Sequence, residues 1–372
     1  MKSLNLLHLN TERGWRGGEV QTLLLARGLA ERGHRCVLVA PPESRLVAEG
    51  RKAGLEVEAV DARGEFDLGA VLALARLVRK LGPELLHYHT SHAVTLGTLA
   101  MAFSRRIPAV ASRRVSFPLS RNPLARLKYT HRVVRVIAVS SGIREILVSS
   151  GIPSQRVVTI HSAVDLERFR TVPSREESRA ALGYDGQVTL VGAIGHLAEH
   201  KGHLVLVEAA GLLARGPGDF RFLVVGGGEL EAVLRRRIQE LGLQETFRLL
   251  GHSDGVDHLL PALDMLVFPS LSGEGSPAVL KEAMACGVPI VASGISGVDE
   301  VVEDGRQGLL VRPGDPQILK DAILRLASDR NLRLQLGRHG RERAREFSVE
   351  RMVERTQAVY REVLERGTRS KP

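Results

Sequence analysis

The stretch DMLVFPSLSGEGSPAVLKEAMACGVPIVAS, residues 264–293, predicts a strand, a loop, a helix and a second strand. The apolar runs DMLVFPS and VPIVAS are the strands, and Gly287 followed by Pro289 ends the helix. Apolar strands separated by helices indicate a parallel sheet that is covered on both faces. Because the same alternation starts at LNLLHL and restarts at VTLVGAIG, we expect an α/β protein with two Rossmann-like parallel-sheet domains that face each other across a cleft.

The domain boundaries follow from composition. Residues 169–186 are polar, contain a proline and have no strand pattern, so they predict a linker. This linker separates an N-terminal domain, residues 1–168, from a C-terminal domain, residues 187–348. The last helix, residues 349–372, is expected to pack back on the N-terminal domain.

Size and composition are typical of a globular enzyme. The chain has 372 residues, of which 44% are hydrophobic and 25% are charged, and no apolar run approaches the ~20 residues of a membrane span. MKSLNLLHLN is too short and too polar for a signal peptide. The two cysteines lie far apart and form no metal or redox pattern. We therefore expect a cytoplasmic protein.

Positive charge is concentrated in the N-terminal half. Residues 1–180 hold 28 Lys and Arg against 16 Asp and Glu, whereas the rest of the chain holds 24 against 26. The stretch from Leu85 to Arg144 has ten basic residues and no acidic one. Such a one-sided run indicates an anionic partner, although an Arg-rich genome is the simpler alternative.

Ligands bind outside the carboxyl ends of the strands in an open parallel sheet, and three unusual loops fall at such ends. The first, NTERGWRGGEV, follows LNLLHL. Gly17 and Gly18 allow close approach to a ligand, and a helix predicted from Val20 offers its free N–H groups and positive dipole end. A tight turn without a ligand is the alternative.

The second loop, AIGHLAEHKGH, follows VTLV. Gly195 and Gly202 bracket Lys201, which cannot belong to an apolar face. A lysine between two glycines above a sheet is suited to meet a diphosphate, and His196 adds a hydrogen-bond donor. A solvated lysine in a flexible loop is the alternative.

The third loop lies in the opening stretch. Glu274 stands in the loop, and the amides of Gly275 and Ser276 point at an anion with the dipole of the following helix behind them. Glu282 lies about a turn and a half into that helix, where a carboxylate can accept two hydroxyl protons from a diol such as ribose. An acid among apolar neighbours is costly unless it is paired or solvated, which disfavours a plain surface role.

These residues resemble the retaining, nucleotide-sugar-dependent glycosyltransferases of family four, which have the two-domain GT-B fold. RGGEVQTLLLARGLAERGHRCVLVA is similar to the family's N-terminal glycine loop and helix, and GHLAEHKGH to its diphosphate-binding loop. The segment from LLGHSDG to RPGDP is similar to its C-terminal signature, including the Glu-x7-Glu motif.

The resemblance assigns roles to the loop residues. It implies that Lys201 neutralises the donor diphosphate, that Glu282 holds the ribose and that Glu274 faces the transferred sugar. It also implies that the Gly275–Ser276 amides meet the phosphates, with Gly17 and Gly18 contributing from the opposite domain.

Three positions need separate comment. His89, in LLHYHTSHA, sits where the family often has a histidine near acceptor and sugar, and a buried structural histidine is the alternative. The chain departs from the family at His196, where arginine is usual and where the charge now depends on pH. It departs again at Arg113-Arg114, where the family often has a histidine.

The expected chemistry is the breaking of an anomeric C–O bond, which develops negative charge on the leaving diphosphate. Lys201 and the helix N-termini would stabilise that charge. The sequence has no Asp-x-Asp motif and no His/carboxylate cluster with metal-ligand spacing, so we expect neither metal nor cofactor. Retention of the anomeric configuration is implied by the resemblance only.

The basic run belongs to the domain that binds the acceptor in this fold. Arg113, Arg114 and Arg121 are its candidate acceptor-binding residues, interleaved with apolar side chains. Such a surface suits an anionic glycan or glycolipid acceptor, such as a lipopolysaccharide core, and the inner face of an anionic membrane.

Three rival readings are weaker. A nucleotide-sugar epimerase of the same fold would need no acceptor site, and the basic run counts against it. A dehydrogenase is suggested by FLVVGGGEL, but the GxGxxG spacing is missing. A nucleic-acid-binding protein would explain the charge, yet aromatic residues are only 4% of the chain and no recognised module is present, so we expect no nucleic-acid partner.

Overall fold

The structure is a computed structural model, and it describes residues 3–104, 107–117, 119, 123–184, 186–253 and 255–369. Contacts divide the chain into two compact units. The first unit is Met1–Ala163 with Val349–Pro372, and the second is Val164–Ser348. Each unit contains one parallel β-sheet with helices, as the alternation of the sequence predicts.

The first unit contains a seven-stranded sheet of order β3-β2-β1-β4-β5-β6-β7, in which all pairs are parallel. Its strands are β1 Asn5–Leu9, β2 Arg35–Ala40, β3 Glu56–Ala59, β4 Leu85–Tyr88, β5 Ala109–Arg113, β6 Val133–Ala138 and β7 Val157–Thr159. The chain direction across the sheet reverses between β1 and β4, so the loops after these two strands form the switch point where ligands bind.

The second unit contains a six-stranded parallel sheet of order β10-β9-β8-β11-β12-β13. Its strands are β8 Thr189–Ile194, β9 Phe220–Val225, β10 Phe247–Gly251, β11 Met265–Phe268, β12 Ile290–Ser293 and β13 Gly308–Val311. The switch point here lies between β8 and β11. The prediction of two Rossmann-like domains is confirmed, and the sequence reading missed only the short strand β13 in this sheet.

Helices follow most strands in both units. In the first unit they are α1 Gly17–Glu31, α2 Arg45–Lys52, α3 Leu68–Leu81, α4 Ser91–Ala100, α5 Pro123–Thr130, α6 Ser141–Ser149 and, at the C-terminal end, α14 Val349–Arg369. In the second unit they are α7 Arg175–Ala181, α8 His203–Leu213, α9 Glu231–Glu240, α10 Val256–Leu259, α11 Ala278–Cys286, α12 Pro316–Ser328 and α13 Arg330–Ala344. None of the helices in the described ranges combines the length and apolar character that crossing a bilayer requires.

Both faces of the first sheet are apolar. Leu7 and Leu86 belong to a buried cluster on one face, and their neighbours Leu6 and Leu85 belong to a cluster on the other. This follows from the strand geometry, because successive side chains point to opposite faces. Helix α14 covers the second face together with α1.

Composition predicts a linker over residues 169–186, but the described part of this segment, residues 169–184 and 186, belongs to the second unit. It includes helix α7, whose first turn is capped reciprocally by Ser174 and Glu177. The physical reason is a buried ion pair: Arg179 donates to the carboxylate of Asp264 at 3.1 Å, and Arg175 donates to the same carboxylate at 2.8 Å. A polar sequence without strand pattern therefore holds a packed element.

Candidate functional site

The two switch points place the predicted loops at the carboxyl ends of central strands. In the second unit the loop after β8 carries Lys201, and the loop after β11 carries Glu274. The amide of Leu271 donates to the carbonyl of His200 at 2.7 Å, so the two loops are joined by backbone. Residues 73 positions apart are thereby brought to one place.

Lys201 and Glu274 form a direct ion pair. The Nζ atom of Lys201 lies 2.6 Å from Oε1 of Glu274, and the hydroxyl of Ser270 donates to the same oxygen at 2.7 Å. The Lys201 side chain is 20% exposed and that of Glu274 is 7% exposed. A largely buried pair of this kind is preorganised, and one face of the ammonium group stays accessible to an anion.

The backbone at Gly202 holds this lysine in place. Gly202 has φ +68°, and a Cβ atom there would lie 2.0 Å from the carbonyl oxygen of Pro269 in the neighbouring loop. Only glycine combines the left-handed conformation with that close approach. The glycine after Lys201 therefore allows the loop after β8 to pack directly against the loop after β11.

The amides of Gly275 and Ser276 lie at the start of helix α11. Within the described part of the chain no acceptor is recorded for either N–H group, although Gly275 is buried. Buried backbone donors are normally paired, and at a helix N-terminus such donors suit an anion. The position expected for a phosphate thus has two backbone N–H groups that make no hydrogen bond to the described part of the protein.

Helix α11 begins at Ala278. Pro277 occupies the N-cap position, without a side-chain cap, so Ser276 lies just before the helix. The hydroxyl of Ser276 instead accepts a hydrogen bond from Lys281 at 2.6 Å. The predicted helix end at Gly287, in the left-handed conformation, is confirmed.

Lys281 is a residue that the sequence reading missed. Its side chain is fully buried, with Nζ bonded to Ser276 and 4.9 Å from the centre of the Phe347 ring. Burial lowers the pKa of this ammonium group to about 7, although the carboxylates of Glu282 and Glu300 oppose the change. The lysine inside the apolar segment AVLKEAMAC was the feature of the sequence that could have indicated a buried ammonium group.

Glu282 lies in a separate group of charges next to Lys281. It is partly exposed, and Arg168 and Asp257, which are joined at 2.9 Å, act on it electrostatically. Burial raises the pKa of Glu282, the Arg168 guanidinium opposes this, and the Asp257 carboxylate adds to it. The structure therefore shows that Arg168 and Asp257 interact electrostatically with Glu282, which the sequence did not predict.

His196 lies at the surface of the loop after β8. Its ring is 43% exposed, and Nε2 lies 3.2 Å from a carboxylate oxygen of Glu229. This contact orients the ring toward the loop after β9. The histidine that stands where the family has arginine is thus paired with an acid rather than with Lys201 or Glu274.

In the first unit, Gly17 and Gly18 form the first turn of α1, which starts three residues before the expected Val20. Glu19 explains the earlier start, because its carboxylate accepts from the amide of Arg16, the N-cap residue, at 3.0 Å. Both glycines are therefore helical and do not form a tight turn. A Cβ atom on Gly18 would lie 3.9 Å from the side chain of Arg114.

His89 belongs to a stack of three buried histidines with His8 and His87. Arg114 donates to Nδ1 of His89 at 3.2 Å, so His89 carries its proton on Nε2 and donates to His8 at 3.0 Å. Burial lowers the pKa of His8 to about 3 and lowers those of the other two rings as well. All three rings are neutral at physiological pH.

The three rings also satisfy the distance requirement of a metal site, which the sequence did not reveal. However, both nitrogens of His87 are engaged, with the hydroxyls of Tyr360 at 2.5 Å and Ser112 at 2.8 Å. Arg114 places a positive charge beside His89. A cation would have to break these bonds beside a guanidinium group, so the residues do not fit a metal.

The candidate acceptor residues separate in the structure. Arg113 is buried and donates to the carbonyl of Phe117 at 2.6 Å, so it is a structural residue and not a surface contact as expected. Arg114 holds His89, as described above. Arg121 lies outside the described residues. Arg113 is buried because it is the last residue of β5, where its guanidinium group also donates to the hydroxyl of Tyr129 at 3.4 Å.

Much of the basic run is likewise engaged within the first unit. Lys128 pairs with Glu65, Arg132 donates to the carbonyl of Met101 at 3.1 Å, and Arg135 pairs with Glu362 of α14. An acid-free stretch of sequence therefore meets acids from distant segments, which a linear count of charge cannot show.

Two family models match the chain. The model "Glycosyltransferase Family 4" matches residues 15–168, and "Glycosyl transferases group 1" matches residues 174–343. Together they account for most of the chain and for both structural units.

Proteins similar to the chain in sequence are also glycosyltransferases. The chain is 36% identical over 225 residues to D-inositol 3-phosphate glycosyltransferase of Saccharomonospora viridis. The aligned residues cover 57% of this chain and 52% of the relative. It is 24% identical over 308 residues to the UDP-Gal:alpha-D-GlcNAc-diphosphoundecaprenol alpha-1,3-galactosyltransferase of Escherichia coli, with 79% of each covered. The first match thus spans about half the length of the relative.

The fold is shared with solved structures. HepE of Anabaena, crystallised with UDP and glucose, superimposes with a TM-score of 0.85 over 96% of this chain and 100% of HepE, at 22% identity. The lipopolysaccharide outer core galactosyltransferase WaaB superimposes with a TM-score of 0.71, covering 96% and 99% of the two chains at 17% identity. With family models on both units and this shared architecture, the chain belongs to the family-four glycosyltransferases of the GT-B fold.

Proposed function

We propose that the protein transfers a sugar from a nucleotide-diphosphate sugar to an anionic, lipid-linked acceptor with retention of anomeric configuration. One observation carries the donor half of this proposal. The Lys201–Glu274 pair lies in loops bonded to each other, and the same β11 loop presents the unpaired amides of Gly275 and Ser276. An ammonium group and two N–H donors are the groups that a departing diphosphate needs.

The other donor residues have complementary roles in this proposal. Glu282 holds the ribose diol, and Lys281 fixes Ser276 in the phosphate-binding turn. Glu274 faces the transferred sugar and orients Lys201. Gly17 and Gly18 contribute from the first unit, His196 lies at the edge of the site, and His89 is held by Arg114 on the acceptor side.

The donor site is tested by thermal shift with UDP, GDP and ADP, because a ligand that binds the folded protein raises its Tm. HepE was crystallised with UDP, so UDP is the first probe. We expect at least one diphosphate to raise the Tm of the wild type. A flat response to all three would remove the donor site.

The role of Lys201 is tested by Lys201→Ala, with Lys320→Ala as a matched control because both side chains are 20% exposed. If Lys201 stabilises the leaving group, kcat falls by about 100-fold or more, with a much smaller loss of donor affinity. Lys320→Ala should keep wild-type kcat. Equal losses of kcat and affinity in Lys201→Ala would reduce Lys201 to a binding residue.

Metal independence and retention are proposed with the same site. The positive groups named above neutralise the diphosphate, so we expect unchanged rates in excess EDTA. Retention is read from the anomeric coupling constants of donor and product in NMR spectra. Loss of turnover in EDTA, restored by Mg²⁺, would contradict the first expectation, and an inverted product the second.

The acceptor half rests on apolar side chains exposed in the first unit. Phe66, Leu68, Phe103, Phe117 and Leu127 are each at least half exposed. Phe66 and Leu127 lie near each other, because their chain neighbours Glu65 and Lys128 form an ion pair. Exposed aromatic and aliphatic groups near basic residues are typical of peripheral membrane contact.

Two relatives support a lipid-linked acceptor by their descriptions. One acts on a diphosphoundecaprenol-linked sugar, and WaaB acts on the lipopolysaccharide outer core. We therefore propose that the protein works at the inner face of the cytoplasmic membrane, on a glycolipid or a lipopolysaccharide-type glycan. Both family models describe glycosyltransferases, and no feature of the site favours the epimerase alternative.

Membrane contact is tested with phosphatidylglycerol and phosphatidylcholine vesicles at low salt. The double variant Phe66→Ser/Phe103→Ser is compared with Val233→Ser/Ile318→Ser, which changes two exposed apolar residues of the second unit. We expect preference for the anionic vesicles and a loss of binding in the first variant only. Equal affinity for both vesicles would remove the membrane part of the proposal.

A further inference from the structure

A second cavity lies within the second unit, at the opposite end of its sheet from Lys201. It has a volume of about 810 Å³, which is in the range of small-molecule sites. Leu263 and Asp264, just before β11, and Val288 and Pro289, just before β12, line it. The cavity is therefore at the amino ends of the strands and is not part of the donor loops.

Guanidinium groups dominate the charge of this cavity. One lining residue is acidic, Asp264, and the basic ones are Arg175, Arg330, Arg333, Arg338 and Arg341. The Asp264 carboxylate is already saturated, because it also accepts from Arg179 and from the amide of Leu190 at 2.8 Å. Arg175 and Arg333 also pair with Asp264, at 2.8 and 3.9 Å. Arg330, Arg338 and Arg341 therefore line the cavity without a matching carboxylate in its lining.

Two of the arginines are held in place by backbone carbonyls. Arg341 donates to the carbonyl of Cys286 at 2.7 Å, and Arg333 donates to that of Ala327 at 2.7 Å. A guanidinium group has five N–H donors, so each keeps others for a ligand. Arg330 and Arg338 are exposed, and no partner is recorded for them among the described residues.

The cavity also has an apolar floor, formed by Pro261, Leu263, Val288, Pro289 and Leu334. A simple inorganic ion would leave this surface uncovered. An organic skeleton with a charged group would cover it while the charged group reaches the arginines. Phosphate suits these arginines because guanidinium binds it through paired hydrogen bonds, and a phosphate monoester carries about two negative charges.

We propose that this cavity binds a small phosphorylated organic molecule of about the size of a sugar phosphate. The site is connected to the donor loop through one helix. Arg341 bonds the last residue of α11, and a Cβ atom on Gly337 of α13 would lie 2.2 Å from the carbonyl oxygen of Gly287. Helix α13, which lines the cavity, is therefore in direct contact with α11, the helix that carries Lys281 and Glu282.

The test is calorimetric titration of the full chain with glucose 6-phosphate, and with glucose as the uncharged control, at low salt. The variant Arg330→Gln/Arg338→Gln removes two guanidinium groups that make no recorded contact. Arg215→Gln/Arg236→Gln removes two other exposed arginines of the same unit and is its matched control. Lys201→Ala is included because it impairs the donor site alone.

We expect glucose 6-phosphate, but not glucose, to bind wild type and Lys201→Ala with equal Kd. In Arg330→Gln/Arg338→Gln the Kd should rise by about tenfold or more, since hydrogen bonds to charged groups are being removed. The matched control should bind as wild type does. Unchanged Kd in Arg330→Gln/Arg338→Gln, loss of binding in Lys201→Ala, or no binding to wild type would each overturn the proposal, and none of them bears on the transfer reaction.

Discussion

Lys281 allows a sharp prediction about stability and pH. Its ammonium group is fully buried, and burial lowers its pKa from 10.5 to about 7. Each pKa unit corresponds to about 1.4 kcal/mol, so at pH 7 the folded protein is destabilised by about 4 kcal/mol relative to one with a neutral group at this position. The unfolded chain binds more protons than the folded one between pH 7 and 10.5, and stability must therefore rise with pH in that window.

The variant Lys281→Met keeps the size of the side chain and removes the charge. It also removes the hydrogen bond to Ser276, which is worth about 1 kcal/mol. We expect Lys281→Met to be more stable than wild type by about 3 kcal/mol at pH 7 and by only about 1 kcal/mol at pH 9. The gap closes because the wild-type ammonium group releases its proton in the folded state.

The measurement is urea-induced unfolding followed by far-UV circular dichroism at pH 7 and pH 9. Lys52→Met is the control, because that side chain is 80% exposed, and its difference from wild type should be the same at both pH values. A difference between wild type and Lys281→Met that does not change with pH would show that Lys281 is not a buried titrating group. Donor binding offers a second readout, which should weaken as Ser276 loses its anchor.

Three further changes test the packing around the sites by the same unfolding assay. Gly202→Ala should destabilise the protein by about 2 kcal/mol or more, because φ is positive and the added Cβ atom would meet a carbonyl oxygen. The control Gly305→Ala, with φ +74° and open space around it, should lose only about 1 kcal/mol. Equal losses in the two variants would contradict the close approach at Gly202. Asp264→Asn should cost about 3–5 kcal/mol, because it leaves the buried Arg179 without its carboxylate, and a loss below about 1 kcal/mol would show that the pair is not needed. Tyr360→Phe should cost about 1–2 kcal/mol, since it leaves Nδ1 of buried His87 unpaired, and unchanged stability would mean that another group satisfies that nitrogen.

The local pattern of the sequence was sufficient for the architecture. Apolar runs of strand length between helical segments predict parallel sheets, since only strands buried on both faces are apolar throughout. The glycine loops were recognisable because ligands bind at the carboxyl ends of such strands. Strand β13, GLLV, was missed because it begins at Gly308 and is followed by Pro313 and Gly314, so the segment has the composition of a turn.

Residues 169–186 and the basic run were interpreted less well, for a common reason. Composition describes a segment by itself, but its structure depends on partners from elsewhere. Arg179 of the predicted linker is buried because Asp264, 85 positions away, pairs with it. Arg135 of the basic run is neutralised by Glu362, 227 positions away.

By itself, the sequence determined the two α/β sheets, the loops above them and the residue types that can meet a diphosphate. These features depend on short-range periodicity and on the conformational freedom of glycine, and both can be read within a few residues. Only the tertiary structure decided which charged side chains can reach a ligand. In the folded chain Lys201 is paired with Glu274, Lys281 is buried against the Phe347 ring, and Arg113 is buried. Coulomb and desolvation energies depend on distances in space, and distances in space between remote residues are set by the folded chain alone.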